Sequence, residues 1–250
     1  MNQEERWLLE EKYNGRESDE FHADCMRLAV GEPLAYLIGT VPFLDCTIHL
    51  DSRPLIPRPE TEYLTKCFID EVIDEAQATL EILDLCAGSG CIGVAIARSI
   101  PRSRITFAEI EEEHLSTIKK NLQVNYPLSE NDTPHTVIQS DLYTHVTGRY
   151  DHIISNPPYI DPALDRTTES VRTYEPKTAL YGGSAGLDII AQIIAQGPDY
   201  LKRGGTLWVE HEPEQIETII ELVSASDFAR CETHNDQYQT PRFTVCTMAL

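Results

Sequence analysis

From residue 61 onward, short apolar runs alternate with longer segments in which apolar residues recur every three or four positions. Short apolar runs are typical of buried strands, and the wider spacing is typical of one face of a helix. Strands are predicted at EILDLC (81–86) and ITFAEI (105–110), near 136–140 and 151–155, and at TLWVEH (206–211). Strands and helices that alternate through short connections predict a mostly parallel sheet with helices on both faces.

Two further strands are predicted near 228–234 and 242–249, with a polar loop and no helical pattern between them. Strands joined without a crossover helix pair antiparallel. The sequence therefore predicts an α/β fold with a seven-stranded, mostly parallel sheet and an antiparallel final pair.

Before residue 61, the pattern predicts two short helices and a β-hairpin. Ser18 is the predicted N-cap of the second helix, which ends at Gly31 and Pro33. The predicted apolar face of that helix is formed by Phe21, Cys25, Leu28 and Ala29. Alternation over residues 43–48, followed by a turn at Asp51 and Ser52, predicts the hairpin. We therefore divide the chain into a reduced N-terminal helical segment with a β-hairpin, residues 1–60, and a main domain, residues 61–250.

The charge balance narrows the class of partner. The chain has 41 acidic and 20 basic residues, which gives a net charge of −21, and it has no basic run. Nucleic-acid binding depends on clustered Lys and Arg that neutralise phosphates, so the composition disfavours a nucleic-acid substrate. An acidic surface suits a small molecule or a basic protein partner, or it serves solubility.

Other bulk features indicate a cytoplasmic protein. No apolar run approaches the ~20 residues that span a membrane, and the acidic N-terminus resembles neither a signal nor a transit peptide. The seven cysteines are scattered without a C-x-x-C pair. Their arrangement favours buried thiols in a reducing compartment over a disulfide framework or a zinc site.

The segment DLCAGSG (84–90) ends a predicted strand and opens a helix. Gly88 and Gly90 allow the backbone to approach a ligand, and the helix start offers free N–H groups. By itself, such a turn is only a weak indication of a ligand-binding site. Asp84 would repel a phosphate and attract an ammonium group, which points to a cofactor that carries an amino acid.

Two acids follow the next strands. Glu109 is placed to accept from both hydroxyls of a ribose through its two oxygens, or it is simply a solvated acid at a helix start. Asp141, in QSDL, is either an acceptor for an adenine amino group or a turn residue.

SNPPYI (155–160) follows a buried strand with two prolines. Prolines fix φ and donate no hydrogen bond, so the pair ends the strand. The segment either does no more than end the strand, or it holds hydrogen-bond acceptor groups in a rigid arrangement beside an active site.

Taken together, DLCAGSG, AEIE, QSDL and SNPPYI resemble the Rossmann-like class I methyltransferases that use S-adenosylmethionine. GEPLAYLIG, LIPRPETE and YEPKTALYGGSAGLD narrow the resemblance, from about residue 31 to the C-terminus, to the HemK family of protein-(glutamine-N5) methyltransferases. This family methylates the GGQ glutamine of peptide chain release factors. The resemblance implies S-adenosylmethionine as cofactor and S-adenosylhomocysteine as product. The cofactor-binding residues that it implies are Asp84, Cys86, Ala87, Gly88, Ser89, Gly90, Glu109, Asp141, Leu142 and Asn156.

The resemblance also assigns the catalytic residues Asn156, Pro157 and Tyr159. The side-chain oxygen of Asn156 and the carbonyl of Pro157 would accept the two hydrogens of the glutamine amide, and the Tyr159 ring would pack over that amide. The other implied substrate-binding residues are Pro158, Arg58 and Glu60. No metal is implied. Glutamate should be refused, because a buried unpaired polar group costs ~1–3 kcal/mol.

Three rival functions remain. A ribosomal-protein glutamine is the nearest alternative substrate. An adenine amino group presents the same two hydrogens, but an adenine N6 enzyme needs a basic recognition region that is absent from this sequence. A non-catalytic cofactor-binding protein would not require Asn156, Pro157 and Tyr159 together.

The sequence departs from the family at several positions. Cys86 replaces a usual glycine, which should be tolerated if its φ is negative. Glu109 replaces the commoner aspartate. In EHEPEQ (210–215), Glu210 and Gln215 are predicted to be helix-capping scaffold and His211 to be structural. The N-terminal domain is cut to roughly thirty residues, which leaves the docking of the release factor least defined. We expect a monomer.

Overall fold

A computed structural model describes residues 1–73, 79–126 and 134–250. The N-terminal segment contains helices α1 (Gln3–Glu11), α2 (Asp19–Ala29) and α3 (Leu34–Ile38) and strands β1 (Thr40–Phe43) and β2 (Cys46–His49). The Ser18 hydroxyl accepts from the Phe21 N–H at 3.2 Å, which confirms the predicted N-cap of α2. Phe21 packs with Leu8 and Leu37 in a small core. Ala29, predicted on the same face, is exposed because it lies at the end of the helix.

The hairpin is present, but its turn is not where the sequence predicted it. Strands β1 and β2 pair antiparallel from Thr40 opposite His49 to Phe43 opposite Cys46. The connection is Leu44-Asp45, with Leu44 in the left-handed region at φ 48°. The Leu44 N–H donates a hydrogen bond to the carboxylate of Glu62, which lies outside the hairpin and stabilises this turn. Asp51 and Ser52 form a second turn, which leads out of β2.

The main domain alternates strands and helices as predicted. Its elements are α4 (Pro59–Val72), β3 (Leu80–Leu85), α5 (Cys91–Ser99), β4 (Ser103–Glu109), α6 (Glu112–Asn125), β5 (Thr136–Gln139), β6 (Tyr150–Ser155), α7 (Glu169–Tyr174), α8 (Asp188–Tyr200), β7 (Leu201–Glu210), α9 (Ile216–Ser224), β8 (Phe228–Asn235) and β9 (Pro241–Met248). The strands form one sheet in the order β5-β4-β3-β6-β7-β9-β8. Strand β9 is antiparallel to both its neighbours, and the other pairs are parallel. The predicted fold class is confirmed.

Successive residues of β3 face opposite sides of this sheet. Ile82 packs into a core with residues of α4, α5 and α6, and Leu83 packs into a core with residues of α8 and α9. Strand β3 is therefore covered on both faces, which explains its continuous apolar run.

Helix α6 ties the hairpin to the main domain. The carboxamide of Asn121 accepts from the His49 N–H at 2.7 Å and donates to the Ser89 carbonyl at 2.9 Å. The carboxamide of Asn125 accepts from the Thr47 N–H and donates to the Thr47 carbonyl, both at 2.8 Å. The hairpin is thereby held beside the loop that follows β3. In the described parts of the chain, no helix is long and apolar enough to cross a membrane.

Candidate active site

The candidate site lies where the strand order changes direction. Strand β3 has β4 on one side and β6 on the other, and in such sheets ligands bind beyond the carboxyl ends of the strands at this point. A cavity of about 320 Å³ opens there. It is lined by the loops that follow β3, β4, β5 and β6, together with Leu55, Pro57 and Thr61.

Most of the predicted site residues surround this cavity. The ones that line it are Cys86, Ala87, Gly88, Ser89, Glu109, Asp141, Leu142, Asn156 and Pro158. Asp84, Gly90, Pro157, Tyr159, Arg58 and Glu60 lie outside its lining. The roles assigned to all these residues remain predictions.

The glycine loop after β3 has the conformation that its sequence requires. Gly88 and Gly90 have φ of 55° and 76°, which favours glycine at both positions. Gly90 is the N-cap of α5 and has no side chain to cap the helix, and in its first turn the Gly93 N–H donates instead to the carboxylate of Asp84. A Cβ at Gly88 would meet nothing within 4 Å, so the backbone there borders open space.

Cys86 does not meet the condition of a negative φ under which the replacement of glycine was predicted to be tolerated. Its φ is 63°, in the left-handed region where glycine is favoured. A non-glycine residue there costs roughly 1–2 kcal/mol. The family's usual glycine therefore has a conformational reason, and the cysteine is tolerated under strain.

Glu109 joins the loops that follow β3 and β4. Its carboxylate accepts from the Gly88 N–H at 2.6 Å and from the Glu111 N–H at 2.9 Å, and its side chain is almost fully buried. It is therefore not a solvated acid at a helix start. A carboxylate has about four acceptor sites, so each oxygen can still accept from a ligand hydroxyl.

Asp84 lies buried beneath the glycine loop. One carboxylate oxygen accepts from the Gly93 N–H at 2.9 Å, and the other is buried with no hydrogen-bond partner among the described residues. Burial raises the pKa of Asp84 to about 8, which the bond from Gly93 opposes and the charge of Glu109 reinforces. This unpaired oxygen fits a nearby cationic ligand, as expected for a cofactor that carries an ammonium group.

Asn156 is held by a chain of hydrogen bonds behind the cavity. Its Nδ2 donates to the Thr61 hydroxyl at 2.8 Å, and that hydroxyl donates to Glu210 Oε2 at 2.8 Å. The Tyr159 hydroxyl donates to Glu210 Oε1 at 2.9 Å. Asn156 Oδ1 has no partner among the described residues and is not shut away from solvent. It is therefore available as an acceptor.

With this geometry established, comparisons with known proteins become informative. The sequence matches the Methyltransferase small domain family over residues 61–172. It is 37% identical over 220 residues to the release factor glutamine methyltransferase of Francisella tularensis, a match that covers 88% of this chain and 75% of the relative. The chain belongs to the release factor glutamine methyltransferase family. The enzyme of Streptococcus pneumoniae is 32% identical over 247 residues, with 96% and 84% of the two chains covered.

Solved structures support the same fold. The fold of this chain resembles that of a methyltransferase from Pyrococcus furiosus with a TM-score of 0.61, at 16% identity and over 91% of this chain and 99% of the other. It also resembles the hMettl16 catalytic domain, bound to a MAT2A 3′UTR hairpin, with a TM-score of 0.63, at 16% identity and over 82% and 76% of the chains. At such identities the likeness establishes the fold alone.

Sequence reasoning missed Thr61 in the family segment LIPRPETE. It selected Arg58 and Glu60, but Arg58 pairs with Glu175 at 2.7 Å and Glu60 is only half-buried. A signal for Thr61 was present, since it shares the buried face of α4 with Leu64, Thr65 and Phe68 at helical spacing. A hydroxyl on that face needs a hydrogen-bond partner.

Glu210 is not a helix cap as predicted. The capping box is formed by Glu212 and Gln215 at the short 3₁₀ helix Pro213–Gln215, which precedes α9. The prediction for Gln215 is therefore confirmed. Glu210 points inward because it ends β7 on the face toward α4, where it is fully buried. Burial raises its pKa to about 7, against hydrogen bonds from Thr61 and Tyr159 that lower it. His211 is buried between the Glu212 carbonyl and the Thr244 hydroxyl, which fits the expected structural role.

Proposed function

We propose that this chain transfers a methyl group from S-adenosylmethionine to the side-chain amide nitrogen of a glutamine, the GGQ glutamine of a peptide chain release factor. The observation that carries this proposal is the Asn156 carboxamide at the cavity, whose nitrogen is bound to Thr61 and whose oxygen has no partner within the described parts of the chain. The relatives of Francisella tularensis and Geobacter sulfurreducens are release factor glutamine methyltransferases, which supplies the class of protein substrate. The reaction is proposed for the cytoplasm, with the enzyme acting as a monomer.

The cofactor half of the site fits the methyl donor. S-adenosylmethionine, when bound, supplies a methyl group on a positively charged sulfur. Glu109 would accept from the ribose hydroxyls, and Asp141, which is exposed at the cavity, would accept from the adenine amino group. The unpaired oxygen of Asp84 would favour a nearby ammonium group. Leu142 also lines the cavity and would supply apolar contact to the cofactor.

The substrate half addresses a specific chemical difficulty. An amide nitrogen is a poor nucleophile because its lone pair is delocalised into the carbonyl. Asn156 Oδ1 and the Pro157 carbonyl would accept the two hydrogens of the glutamine amide and hold its nitrogen in line with the methyl group. Two consecutive prolines fix the direction of this backbone in advance, so little reorganisation is needed in the transition state.

Tyr159 is anchored at both ends. Its hydroxyl donates to Glu210 at 2.9 Å, and its carbonyl accepts from the Gln215 side chain at 2.8 Å. Its ring lies outside the cavity lining. The anchored tyrosine holds the Pro157–Tyr159 backbone, and packing of its ring over the glutamine amide remains a prediction.

The acidic composition supports a protein rather than a nucleic acid as substrate. With a net charge of −21, the chain would repel a phosphate backbone at long range. A basic surface on the release factor would instead be attracted to it.

The test is to incubate a recombinant release factor with the protein and S-adenosylmethionine and to map the modification by peptide mass spectrometry. We expect one added methyl group on the GGQ glutamine. A release factor with glutamate at that position is the matched control and should remain unmodified. Cofactor binding measured by calorimetry, together with no methylation of the release factor, would contradict the proposal.

A further inference from the structure

Four side chains from three distant parts of the chain form one hydrogen-bonded series. Thr61 comes from the first turn of α4, Asn156 and Tyr159 from the segment after β6, and Glu210 from the end of β7. Thr61 is 2% exposed and Glu210 is 0% exposed, so water does not complete their hydrogen bonds. Each contact is between 2.8 and 2.9 Å.

When Glu210 is ionised, its carboxylate determines which group donates and which accepts in every hydrogen bond of this series. An ionised carboxylate only accepts, so the hydroxyl hydrogens of Thr61 and Tyr159 must both point at it. The Thr61 hydroxyl, having used its hydrogen, can only accept from Asn156. Asn156 must therefore present its NH₂ group to Thr61 and its oxygen away from Thr61. An amide whose two ends are nearly the same size has no steric reason to prefer this orientation.

We propose that Thr61 and Glu210 are positioning residues that hold the Asn156 carboxamide with its oxygen toward the substrate, and that they thereby set the preference for glutamine over glutamate. The inference rests on the proposed function, since it concerns how the same site selects its substrate. With the Asn156 oxygen presented, a glutamine NH₂ finds an acceptor and a glutamate carboxylate meets lone pairs. With the amide reversed, the carboxylate would find a donor.

The protonation state of Glu210 should control this orientation. Among the described residues, the titratable or charged groups that act on it are Glu60 from α4, Cys91 from α5, Tyr159, and Arg242 from β9. Burial raises its pKa to about 7, while the bonds from Thr61 and Tyr159 and the charge of Arg242 oppose that rise. A protonated Glu210 can donate to Thr61, and the Thr61 hydrogen can then turn toward Asn156 Oδ1. The glutamine preference should therefore be full above this pKa and decline as the pH falls through it.

The test compares two peptides that carry the GGQ sequence and differ only in glutamine or glutamate at the target position. Their affinities are measured by calorimetry on the full chain saturated with S-adenosylhomocysteine, so that no turnover occurs. In the unchanged protein, the ratio of the two affinities should decline from about pH 8 to about pH 6. In Thr61→Val, the ratio should be lower by about tenfold or more, since one reversed hydrogen bond is of that order, and it should not depend on pH.

Two threonine variants control for general damage. Thr61→Ser keeps the hydroxyl and should restore both the ratio and its pH dependence. Thr65→Val removes another buried hydroxyl one turn along α4, which donates to the Thr61 carbonyl at 2.8 Å and is not part of the series. It should leave the ratio unchanged.

A Thr61→Val protein that keeps the full ratio and its pH dependence would overturn the inference and leave the proposed function intact. If Thr61→Val fails to fold, Glu210→Gln provides the second test, because a glutamine side chain at this position does not ionise. A ratio that still declined with falling pH in Glu210→Gln would also overturn the inference. If the protein without any substitution neither binds the glutamine peptide nor methylates a release factor, the proposed function is refuted, and the inference with it.

Discussion

The proposed cofactor half and the proposed substrate half of the site are built in different ways. The cofactor half consists of loops that follow neighbouring strands, and Glu109 joins them through backbone N–H groups 21 and 2 positions away. The substrate half consists of side chains that bond across 95 and 149 positions of sequence, from Asn156 to Thr61 and from Thr61 to Glu210. The cofactor half therefore depends mainly on backbone conformation, and the substrate half depends on which side-chain atoms donate and which accept.

This difference predicts that damage to the two halves will affect different measured quantities. The largest effect should come from Asn156→Ala. Removing a positioned acceptor from a developing positive charge costs about 100–1,000-fold in turnover, so kcat for release-factor methylation should fall by that order. The affinity for S-adenosylmethionine, measured by calorimetry, should change far less. If turnover survived Asn156→Ala, the proposed role of this residue would be wrong.

Glu109→Ala should show the opposite pattern. Hydrogen bonds to a charged group contribute about 1.5–3 kcal/mol, so the KM for S-adenosylmethionine should rise by roughly 10- to 100-fold with a smaller change in kcat. Glu112→Ala, an exposed acid in the first turn of α6, is the matched control. Equal effects of the two variants would mean that Glu109 acts only through the general charge of this region.

Asp84→Asn tests the buried acid of the cofactor half through stability. The pKa of Asp84 is raised in the folded protein, from 3.8 to about 8, so the native state holds a proton that the unfolded chain has released. This acid therefore makes the free energy of unfolding fall as the pH rises between those values.

Without cofactor, Asp84→Asn should remove about 2 kcal/mol of that decline between about pH 6 and about pH 8. Urea unfolding at both pH values measures it. Asp199→Asn, which changes an exposed acid on α8, should leave the decline as it was. An unchanged decline in Asp84→Asn would show that this carboxyl is ionised at neutral pH.

The smallest effect is expected from Cys86→Gly. Relief of the left-handed conformation at Cys86 should raise the free energy of unfolding by about 1 kcal/mol, reduced by the lost packing of the thiol side chain. Ala87→Gly, at the next position and without a positive φ, should instead destabilise the protein. Urea unfolding of the two variants compares them directly. A less stable Cys86→Gly protein would mean that the packing of the cysteine outweighs its strain.

The same contrast explains what the sequence could and could not predict. The strands, the antiparallel final pair and the glycine loop follow from local patterns, because apolar spacing and turn residues act on near neighbours. The sign of φ at Cys86 could not be read from its neighbours, since it is imposed by the loop that it opens. The hairpin turn was misplaced because the Glu62 carboxylate, far along the chain, stabilises the N–H of Leu44.

The substrate half was only partly predictable. Asn156 was found through its motif, but Glu210 was assigned to a helix cap because nothing near it in the sequence shows that β7 brings it to Thr61. Polar residues on predicted buried faces, such as Thr61 on α4, are the signal that sequence reasoning can use in such cases. Their partners become known only when the sheet order is known.

A crystal structure of the protein with S-adenosylhomocysteine and a glutamine-containing peptide from a release factor would show the proposed substrate contacts themselves. The expected result is that the NH₂ group of the glutamine lies about 3 Å from both the Asn156 side-chain oxygen and the Pro157 carbonyl, with Thr61 still bound between Asn156 and Glu210. A glutamine amide bound away from Asn156, or an Asn156 side chain released from Thr61 in that complex, would contradict it.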